Sequence, residues 1–317
     1  MAYTGQPIVT RKRVIALKTE TTLGTAESLT AAEGVLVVEN PVIAYNGDAT
    51  VIRPVGTYGV RQIVAGARPA AMNFDMLLST GSTSPAFLDT IWEACGLIRS
   101  GAVYTHTIDN CSANGLTGGV WEGVGATARR KLIAGAFGEI EFSFTTGQPV
   151  RMSVALSGKM PSAPAADTAI APTYTALTYP VFRGASLTID SLEMLVDAFT
   201  LRLGNVVILR PSATHTDASG YHSAWIVDAL ATITIAPEAA AFSVIDFYDK
   251  HFGNTAIAFS AQVGSAANNT ITFALPKMQL TRPPGSGDRE GLVTDDLELQ
   301  AVVTSNAYSG GLTITLS

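Results

Sequence analysis

The chain has 317 residues, of which 47% are hydrophobic and only 15% charged, and its formal net charge is −6 at a pI near 5.2. An acidic chain does not bind nucleic acid by neutralising phosphates, so a nucleic-acid-binding protein is not expected. Ordinary domains carry about 25% charged residues. The low value favours a surface partly buried against other subunits, the alternative being a monomer with a surface rich in Ser, Thr and Gly.

The first predicted elements are an extended arm and the start of a β domain. Residues 1–34 are rich in Thr, Ala and Glu without a clear period, which favours an arm over a core element. A first domain, residues 35–160, opens with a short apolar strand at residues 35–38. The turn residues Asn46-Gly47-Asp48 then lead into a strand at residues 50–52 that ends at a proline. Residues 55–67 contain three glycines and are predicted to form a long loop.

The rest of the first domain reads as strands around one helix. Alternating apolar residues from Met72 to Leu78 predict a half-buried strand. Ser84 and Pro85 are typical of a helix start, and Gly96 is typical of its end. Further alternation predicts strands at residues 139–144 and 151–156, each with one apolar and one polar face.

A linker stiffened by proline, residues 161–185, precedes a second predicted domain, residues 186–317. The elements expected there are a hairpin at 199–210, a loop at 212–222, a strand at 230–235, a helix at 244–252 that ends at Gly253, and strands at 257–263, 270–280, 297–303 and 312–316. The second half therefore repeats the order of the first.

One short stretch occurs twice. Gly47-Asp48-Ala49-Thr50-Val51-Ile52-Arg53-Pro54 returns as Gly204-Asn205-Val206-Val207-Ile208-Leu209-Arg210-Pro211, a displacement of 210 − 53 = 157 residues. The same displacement carries Asp89 onto Asp246 and Gly96 onto Gly253. This self-similarity predicts an internal duplication.

No pattern of catalytic or metal-binding residues stands out. His215, His222 and Asp217 share one loop, but their spacing fits no compact ligand pattern, and a solvated loop is favoured. Residues 123–128 lack the strand and acidic residue of a dinucleotide-binding turn. The basic run at residues 129–131 is read either as a phosphate contact or, preferably, as a solvated loop or a salt-bridge partner for a neighbouring subunit. We therefore predict no enzyme, no cofactor and no metal.

Cysteine content and hydropathy add two further expectations. The two cysteines, Cys95 and Cys111, make neither a disulfide framework nor a zinc site. No export signal is visible, and no apolar run approaches the roughly 18 residues that a membrane span needs. We therefore expect a protein that stays in the cytoplasm of the cell that makes it, with no membrane partner.

Several short segments are informative when taken together: residues 19–25 followed by 35–41, residues 92–97 at the end of the helix, residues 132–140, residues 182–187, residues 204–210 and residues 292–299. These segments resemble the tail tube (major tail) proteins of long-tailed bacteriophages and prophages. The resemblance spans nearly the whole chain as scattered signatures, and residues 101–128 lie outside it.

The resemblance implies a structural protein of the virion tail, made in the host cytoplasm. It implies two duplicated β-sandwich domains, each with a flanking helix, that assemble with other copies into a ring β-barrel. Rings in this family contain six such folds, so a doubled chain predicts trimeric rings with pseudo-sixfold symmetry, stacked helically, with hexameric rings as the alternative. Implied partners are a tape-measure protein, a tail terminator, distal tail or tip proteins, and duplex DNA that passes through the lumen without specific binding.

Two sets of residues are candidates for this role. Polar positions on predicted strands are candidates for the lumen wall: Glu139, Glu141, Lys277, Gln279, Asp296 and Glu298. Residues of the long loops, the repeated stretch and the helices are candidates for contacts between subunits or rings: Arg53, Tyr58, Arg61, Arg210, His215, His222, Asp89 and Asp246. Two other functions stay open, a capsid-decorating or adhesin-like β protein and a β-sandwich carbohydrate-active enzyme.

Overall fold

The computed structural model describes residues 12–37, 39–56, 58–59, 62–79, 86–107, 115–174, 177–184, 186–217, 219–264, 270–302 and 309–316. The fold is mainly β with two short α-helices, which confirms the predicted class. Arg61, Ser84, Pro85 and Cys111 lie outside this part. Neither described α-helix is long and apolar enough to cross a membrane.

The first half of the chain contains most of the strands predicted there and several more. Its described elements are β1 Arg13–Thr19, a 3₁₀-helix Ala31–Glu33, β2 Gly34–Val35, β3 Glu39–Tyr45, β4 Ala49–Ile52, β5 Gln62–Ala65, β6 Pro69–Leu77, α1 Ala86–Ala94, β7 Leu97–Ser100, β8 Val103–Thr107, β9 Leu116–Glu122, a second 3₁₀-helix Gly125–Thr127, β10 Ala128–Thr145, β11 Arg151–Lys159 and β12 Ala165–Asp167.

The second half follows a similar order. Its described elements are β13 Leu187–Ile189, β14 Leu192–Glu193, β15 Ala198–Arg202, β16 Asn205–Pro211, β17 Tyr221–Ala229, β18 Thr232–Ile235, α2 Phe247–Phe252, β19 Ile257–Val263, β20 Ile271–Leu280, β21 Gly285–Arg289, β22 Leu292–Ala301 and β23 Ser309–Leu316.

The largest feature is an antiparallel sheet of eight strands, which we call the long sheet. Its order is β3-β6-β11-β10-β15-β18-β22-β20, and β21 continues along β22 where β20 stops. The pairing of β10 with β15 joins the two halves. In the described part, β3 at one end pairs only with β6, and β21 at the other end pairs only with β22. The long sheet is therefore open along β3 and along β21, whereas β20 itself continues into β19.

Strand β10 is long enough to serve two sets of strands. Its first part pairs with β9 and β12, and its second part pairs with β11 and β15. The register shifts in the segment from Ala134 to Phe137, where Gly135 has a φ of 57° that favours glycine. Strand β20 divides in the same way, since it pairs with β19 and β23 first and with β22 at its end.

The same row of paired residues occurs in each half of the long sheet. In the first half, Ile43, Met72, Leu156 and Gly138 lie side by side on β3, β6, β11 and β10. In the second half, Leu201, Ile233, Leu299 and Leu280 lie side by side on β15, β18, β22 and β20. Corresponding residues are 201 − 43 = 158, 233 − 72 = 161, 299 − 156 = 143 and 280 − 138 = 142 positions apart. The strand order therefore recurs, and buried residues of the two halves can be matched at displacements between 142 and 161.

The repeated eight-residue stretch forms one strand of a separate hairpin in each half. Val51 pairs with Ile63 in the hairpin β4–β5, and Ile208 pairs with Trp225 in the hairpin β16–β17. The displacements are 208 − 51 = 157 and 225 − 63 = 162, so the second hairpin is 162 − 157 = 5 residues longer between these positions. The predicted displacement of 157 thus holds at this strand and not along the whole half.

Strand β1 contradicts the prediction of an extended arm at residues 1–34. It pairs with β9 over all seven residues, and Ile15, Ala16 and Leu17 are buried in succession. Ile15 and Leu17 join the main core, whereas Ala16 packs in a separate cluster with Trp121. A strand covered on both faces has no polar–apolar alternation, so its period gave no signal.

Three further element predictions are wrong in their bounds. Residues 199–210 are not a hairpin, because β15 stays in the long sheet and β16 leaves it to pair with β17. Gly204 makes this change of direction with a φ of 65°, and a Cβ there would lie 2.1 Å from the Leu230 carbonyl oxygen. The predicted loop 55–67 contains β5, and the second helix is shorter than predicted because Asp246 caps it at its start.

The two halves share one core instead of forming two independent ones. Phe142 and Phe144 of β10 contact Phe273 of β20, with ring centroids 5.2 and 5.1 Å apart. Phe144 also stacks on Phe199 of β15 at 4.0 Å. Strand β8 of the first half pairs with β23 of the second. The predicted linker, residues 161–185, therefore connects two halves of a single hydrophobic core.

Candidate functional site: the polar face of the long sheet

The long sheet has one apolar and one polar face, because its strands alternate strictly. Ile140 and Phe142 are buried in the core, whereas Glu139 and Glu141 point to the opposite side. One row of paired residues crosses all eight strands and is polar throughout: Glu39, Asp75, Ser153, Glu141, Arg202, Thr232, Gln300 and Gln279. A neighbouring row contains Arg151, Ser143, Thr200, Thr234 and Glu298. We call this surface the polar face.

Each arginine on the polar face is paired with a carboxylate. The Arg151 guanidinium lies 2.7 Å from both Glu39 and Asp75, so it bridges β3, β6 and β11. Arg202 lies 2.5 Å from Glu141 across the junction of the halves. Arg282 lies 3.2 Å from Glu298. Since these ion pairs are partly exposed, they add little to the unfolding free energy, and their main effect is on how neighbouring strands align.

Carboxylates outnumber arginines on this surface. The six acidic side chains are Glu39, Asp75, Glu139, Glu141, Asp296 and Glu298, against the three arginines 151, 202 and 282. The formal charge of these residues is 3 − 6 = −3 per chain, or 4 − 6 = −2 when the exposed Lys277 at the border is included. An acidic surface whose arginines are already paired repels a polyanion at close range and offers it little to bind.

The carboxylates interact with one another as well as with the arginines. Partial burial raises the pKa of Glu139, and the negative charge of Glu141 adds to this effect. Arg202 and a backbone hydrogen bond from Gly204 act in the opposite direction. The hydrogen bonds that Arg151 donates to Asp75 and Glu39 raise the pKa of Arg151 above its ordinary value, so this guanidinium stays charged.

The structure brings most of the predicted lumen residues onto this face. Glu141 and Gln279 lie in the row that spans eight strands, and Glu298 lies in the next row. Gln279 also donates a hydrogen bond to the Asn254 carbonyl oxygen at 2.7 Å. Lys277 is exposed beside the register shift of β20 and belongs to neither row.

A buried polar cluster holds the predicted loop 212–222 against the first half. Lys159, at the end of β11, is completely buried, and its Nζ lies 2.6 Å from Asp217 and 3.0 Å from His215. Burial alone would raise the pKa of Asp217, but the hydrogen bonds from Lys159 and Ser219 lower it. His222 stacks edge-on against His215 at 5.4 Å. The solvated loop expected here is instead an internal contact.

A second buried cluster fixes the start of the hairpin β16–β17. The Asn205 amide donates hydrogen bonds to the carbonyl oxygens of Gly138 at 2.9 Å and Cys95 at 2.7 Å. Its Oδ1 lies 2.9 Å from Nε2 of His106, which therefore acts as the donor. Burial lowers the pKa of His106 to about 4 in spite of this hydrogen bond. The neutral imidazole is thus the stable form in the folded chain.

Apolar contacts complete the packing of β16–β17 on β10. Phe137 and Trp225 lie with their ring centroids 5.9 Å apart, and Ile226 is buried beside them. The Arg210 guanidinium lies over the Trp225 ring at 5.2 Å from its centroid. Arg210, a candidate for contacts between subunits, is therefore engaged within its own chain.

The remaining candidates fall into two groups. Asp89 accepts hydrogen bonds from Arg99 at 2.7 Å and from the Tyr104 hydroxyl, and Asp246 caps α2 by accepting from the Asp249 amide at 2.9 Å. These intrachain partners account for both aspartates. Arg53 and Tyr58 instead lie at the exposed end of the hairpin β4–β5.

The basic run at residues 129–131 has its salt-bridge partners inside the chain. Lys131 lies 3.0 Å from Glu122, and Arg130 lies 2.7 Å from Asp167. The loop of the preferred interpretation is wrong, because residues 129–131 lie on β10, and the ion pairs are within the chain and not to a neighbouring subunit. In the described part of the chain, no three His, Cys, Asp or Glu residues form a group that could hold a metal ion.

Sequence reasoning missed Lys159 and His106 as buried polar residues. Lys159 follows an alternating strand and looks like a solvated strand end, and its partner Asp217 lies 217 − 159 = 58 residues away. Asn205 was visible only as part of the repeated stretch. Comparison of the chain with protein-family models and with curated proteins gave no match.

Proposed function

We propose that this chain is a structural virion protein, the tail tube protein of a long-tailed bacteriophage or prophage. It polymerises as stacked rings into the hollow conduit through which DNA leaves the capsid. The observation that carries the proposal is the long sheet, whose two edges are open and whose one face is polar across all eight strands. Open antiparallel edges pair readily with further strands, and a closed ring of sheets removes them.

Internal duplication sets the expected number of copies in a ring. The recurring rows Ile43–Met72–Leu156–Gly138 and Leu201–Ile233–Leu299–Leu280 support two copies of one four-stranded unit. Three chains would supply 3 × 8 = 24 strands. Barrels of roughly 16–18 strands already enclose an aqueous channel. Trimeric rings with pseudo-sixfold symmetry follow, and hexameric rings are the alternative.

The polar face is the expected lumen wall. Its paired arginines and its excess of carboxylates suit a surface along which duplex DNA slides without binding. The apolar face is already occupied by the core, so it cannot line the channel. The residues proposed for the wall are Glu139, Glu141, Gln279, Asp296 and Glu298, with Lys277 at its border.

The hairpin β4–β5 is the best candidate for a contact between stacked rings. All eight of its strand residues are exposed, and Tyr58 at its end has no neighbours that cover it in the described part of the chain. The loop 212–222, also predicted to bridge rings, is held inside the chain by Lys159. The bridging role is therefore proposed for β4–β5 alone. The resemblance further implies a tape-measure protein, a tail terminator and distal tail or tip proteins as partners.

Electron microscopy of the purified protein tests this function. We expect hollow tubes built of stacked rings, with three chains per ring and the row from Glu39 to Gln279 facing the lumen. Six chains per ring would contradict the assignment of both halves to one barrel. Separate monomers or trimers that never stack would favour a capsid-decorating or adhesin-like protein. A polar face on the outside of the tubes would remove its residues from the lumen.

A further inference from the structure

Within the chain, the two halves meet by edge-to-edge pairing of β10 with β15. Five residue pairs make this junction, from Glu141 opposite Arg202 to Thr145 opposite Ala198. Two more backbone hydrogen bonds extend it, from Leu203 N–H to the Ile140 carbonyl at 3.1 Å and from Thr146 N–H to the Asp197 carbonyl at 2.9 Å. This junction shows how an edge of the second half fits an edge of the first half.

The strands that correspond to β15 and β10 in the other half of the chain lie at the open edges of the long sheet, β3 and β21. In the row comparison, β15 corresponds to β3, and β10 corresponds to β20 together with its continuation β21. Strand β15 has neighbours on both sides, β10 and β18, whereas β3 has one described neighbour, β6. Likewise β10 lies between β11 and β15, whereas β21 has β22 alone in the described part. Each half thus lacks one contact that the other half has.

The two open edges cannot satisfy each other inside one chain. They lie at opposite ends of the long sheet, and neighbouring strands are about 4.8 Å apart. Seven such spacings put β3 roughly 34 Å from β21 across the sheet. A second copy of the chain carries the matching edge on each side.

We propose, on the basis of the proposed tube, that β21 of one copy pairs antiparallel with β3 of the next and repeats the β10–β15 junction. The register follows from residues that keep their face. The displacement of 143 between β22 and β11 matches Asp296 with Ser153, since 296 − 143 = 153. Ser153 pairs with Glu141, and Asp296 pairs with Gly285. Gly285 therefore corresponds to Glu141. The displacement of 158 between β15 and β3 matches Arg202 with Ala44, since 202 − 158 = 44. Gly285 of one copy therefore lies opposite Ala44 of its neighbour.

The residues of β21 fit such a contact. Strand β21 has Gly285, Ser286 and Gly287 at the proposed junction, and small side chains leave its backbone open to a neighbouring strand. Ala44 is exposed on the polar face, and the partly buried Gly285 lies beside Asp296 on the same face. The contact is heterologous, one edge of the chain against a different edge of the next, and such contacts close into rings or continue as filaments.

Paired cysteines test the contact and its register. The variant carries Ala44→Cys and Gly285→Cys in the full chain. Cys111→Ser removes a second native thiol, and Cys95 can stay because it is buried. A Cβ at Gly285 meets Asp296 at 3.2 Å, a contact that a small shift relieves. Mild oxidation of assembled protein should give covalent oligomers on a non-reducing denaturing gel. Full closure should give one band at 3 × 33.1 = 99.3 kDa.

A matched variant controls for proximity without register. Ser286 lies next to Gly285 on the other face of β21, so Ala44→Cys with Ser286→Cys should cross-link at least about tenfold less. Equal cross-linking of the two variants would overturn the proposed register. Tubes that form normally while Ala44→Cys/Gly285→Cys gives only monomer would overturn the edge pairing and leave the tube function standing. Cross-linked rings that never stack would support the pairing and overturn the tube.

Discussion

The two hairpins of this chain share the repeated stretch of sequence but have different surroundings. In β4–β5, all eight strand residues are exposed, including Val51, Ile63 and Val64. In β16–β17, the residues at the corresponding positions are Ile208, Trp225 and Ile226, and Ile226 is buried against the first half. An isolated two-stranded hairpin is marginally stable in water. The difference fits the proposal that the first hairpin packs against a neighbouring copy of the chain.

The residues at the base of the two hairpins also differ in burial. Asn205 is buried and makes three side-chain hydrogen bonds, whereas Asp48, its counterpart in the repeated stretch, is exposed. A glycine precedes each residue, but only Gly204 has a positive φ, of 65°. The burial of Asn205 depends on residues far away in the sequence, Gly138 on β10 and Cys95 just after α1.

The largest expected effect comes from the buried cation that anchors the second hairpin. Lys159→Met leaves Asp217 without its 2.6 Å partner in a partly buried site, and we expect a loss of about 3–5 kcal/mol of unfolding free energy. Adding Asp217→Asn removes the unpaired charge and should restore part of the loss. Denaturant unfolding of the two variants measures both values. Equal stability of Lys159→Met and the native chain would mean that the contact does not hold the hairpin.

The next effect separates the two hairpins directly. Asn205→Ala removes hydrogen bonds to Gly138 and Cys95 and leaves buried polar groups unpaired, so we expect a loss of about 2–3 kcal/mol. Asp48→Ala, at the corresponding exposed position, should change stability by less than about 0.5 kcal/mol. Thermal unfolding of both variants provides the comparison. Similar losses in the two would show that the hairpins are equally engaged in the isolated chain.

Strand β10 and the residue Asn205 show what the sequence could and could not predict. The alternation of Glu139, Ile140, Glu141 and Phe142 fixes two faces of a strand, and the structure has them as predicted. The segment from Leu203 to Asn205 has turn residues that suit both a reversal within a sheet and an exit from it. The prediction of a hairpin at 199–210 was therefore wrong, because β16 pairs with β17. Burial of Asn205 depends on Cys95, which is 205 − 95 = 110 residues away in the sequence. Local chemistry carries no record of such a partner.

A pH effect of intermediate size should appear at His106. Its pKa is about 4 in the folded chain against 6.5 in an ordinary histidine, so the unfolded chain binds more protons between these values. The stability that depends on the neutral imidazole is therefore complete above pH 6.5 and is lost as the pH falls toward 4. Lowering the pH from 8 to 5 should cost about 2 kcal/mol from this group.

The variant His106→Gln isolates this contribution. Glutamine can donate a hydrogen bond to Oδ1 of Asn205 but does not titrate, so the difference between variant and native stability should shrink as the pH falls. Unfolding at pH 5 and pH 8 gives the four values needed. A difference that is independent of pH would mean that the pKa of His106 is the same in the folded and the unfolded chain.

The smallest effect on stability should accompany a large effect on assembly. Ile63 and Val64 are 64% and 42% exposed in the chain, so Ile63→Ser/Val64→Ser should change unfolding free energy by less than about 0.5 kcal/mol. If the hairpin β4–β5 packs against a neighbouring copy, the same pair of substitutions removes apolar area from that contact, at about 25 cal/mol for each Å² buried. The variant should stay folded and fail to polymerise.

The control for this last variant is an exposed apolar residue far from the hairpin. Val124, in the turn between β9 and β10, is 58% exposed, and Val124→Ser should leave both stability and polymerisation unchanged. Sedimentation and electron microscopy of the two variants at equal concentration compare assembly, and thermal unfolding compares stability. Tubes of normal length from Ile63→Ser/Val64→Ser would show that the exposed hairpin has no partner in the assembly. The contrast between the two hairpins would then reflect the duplication alone.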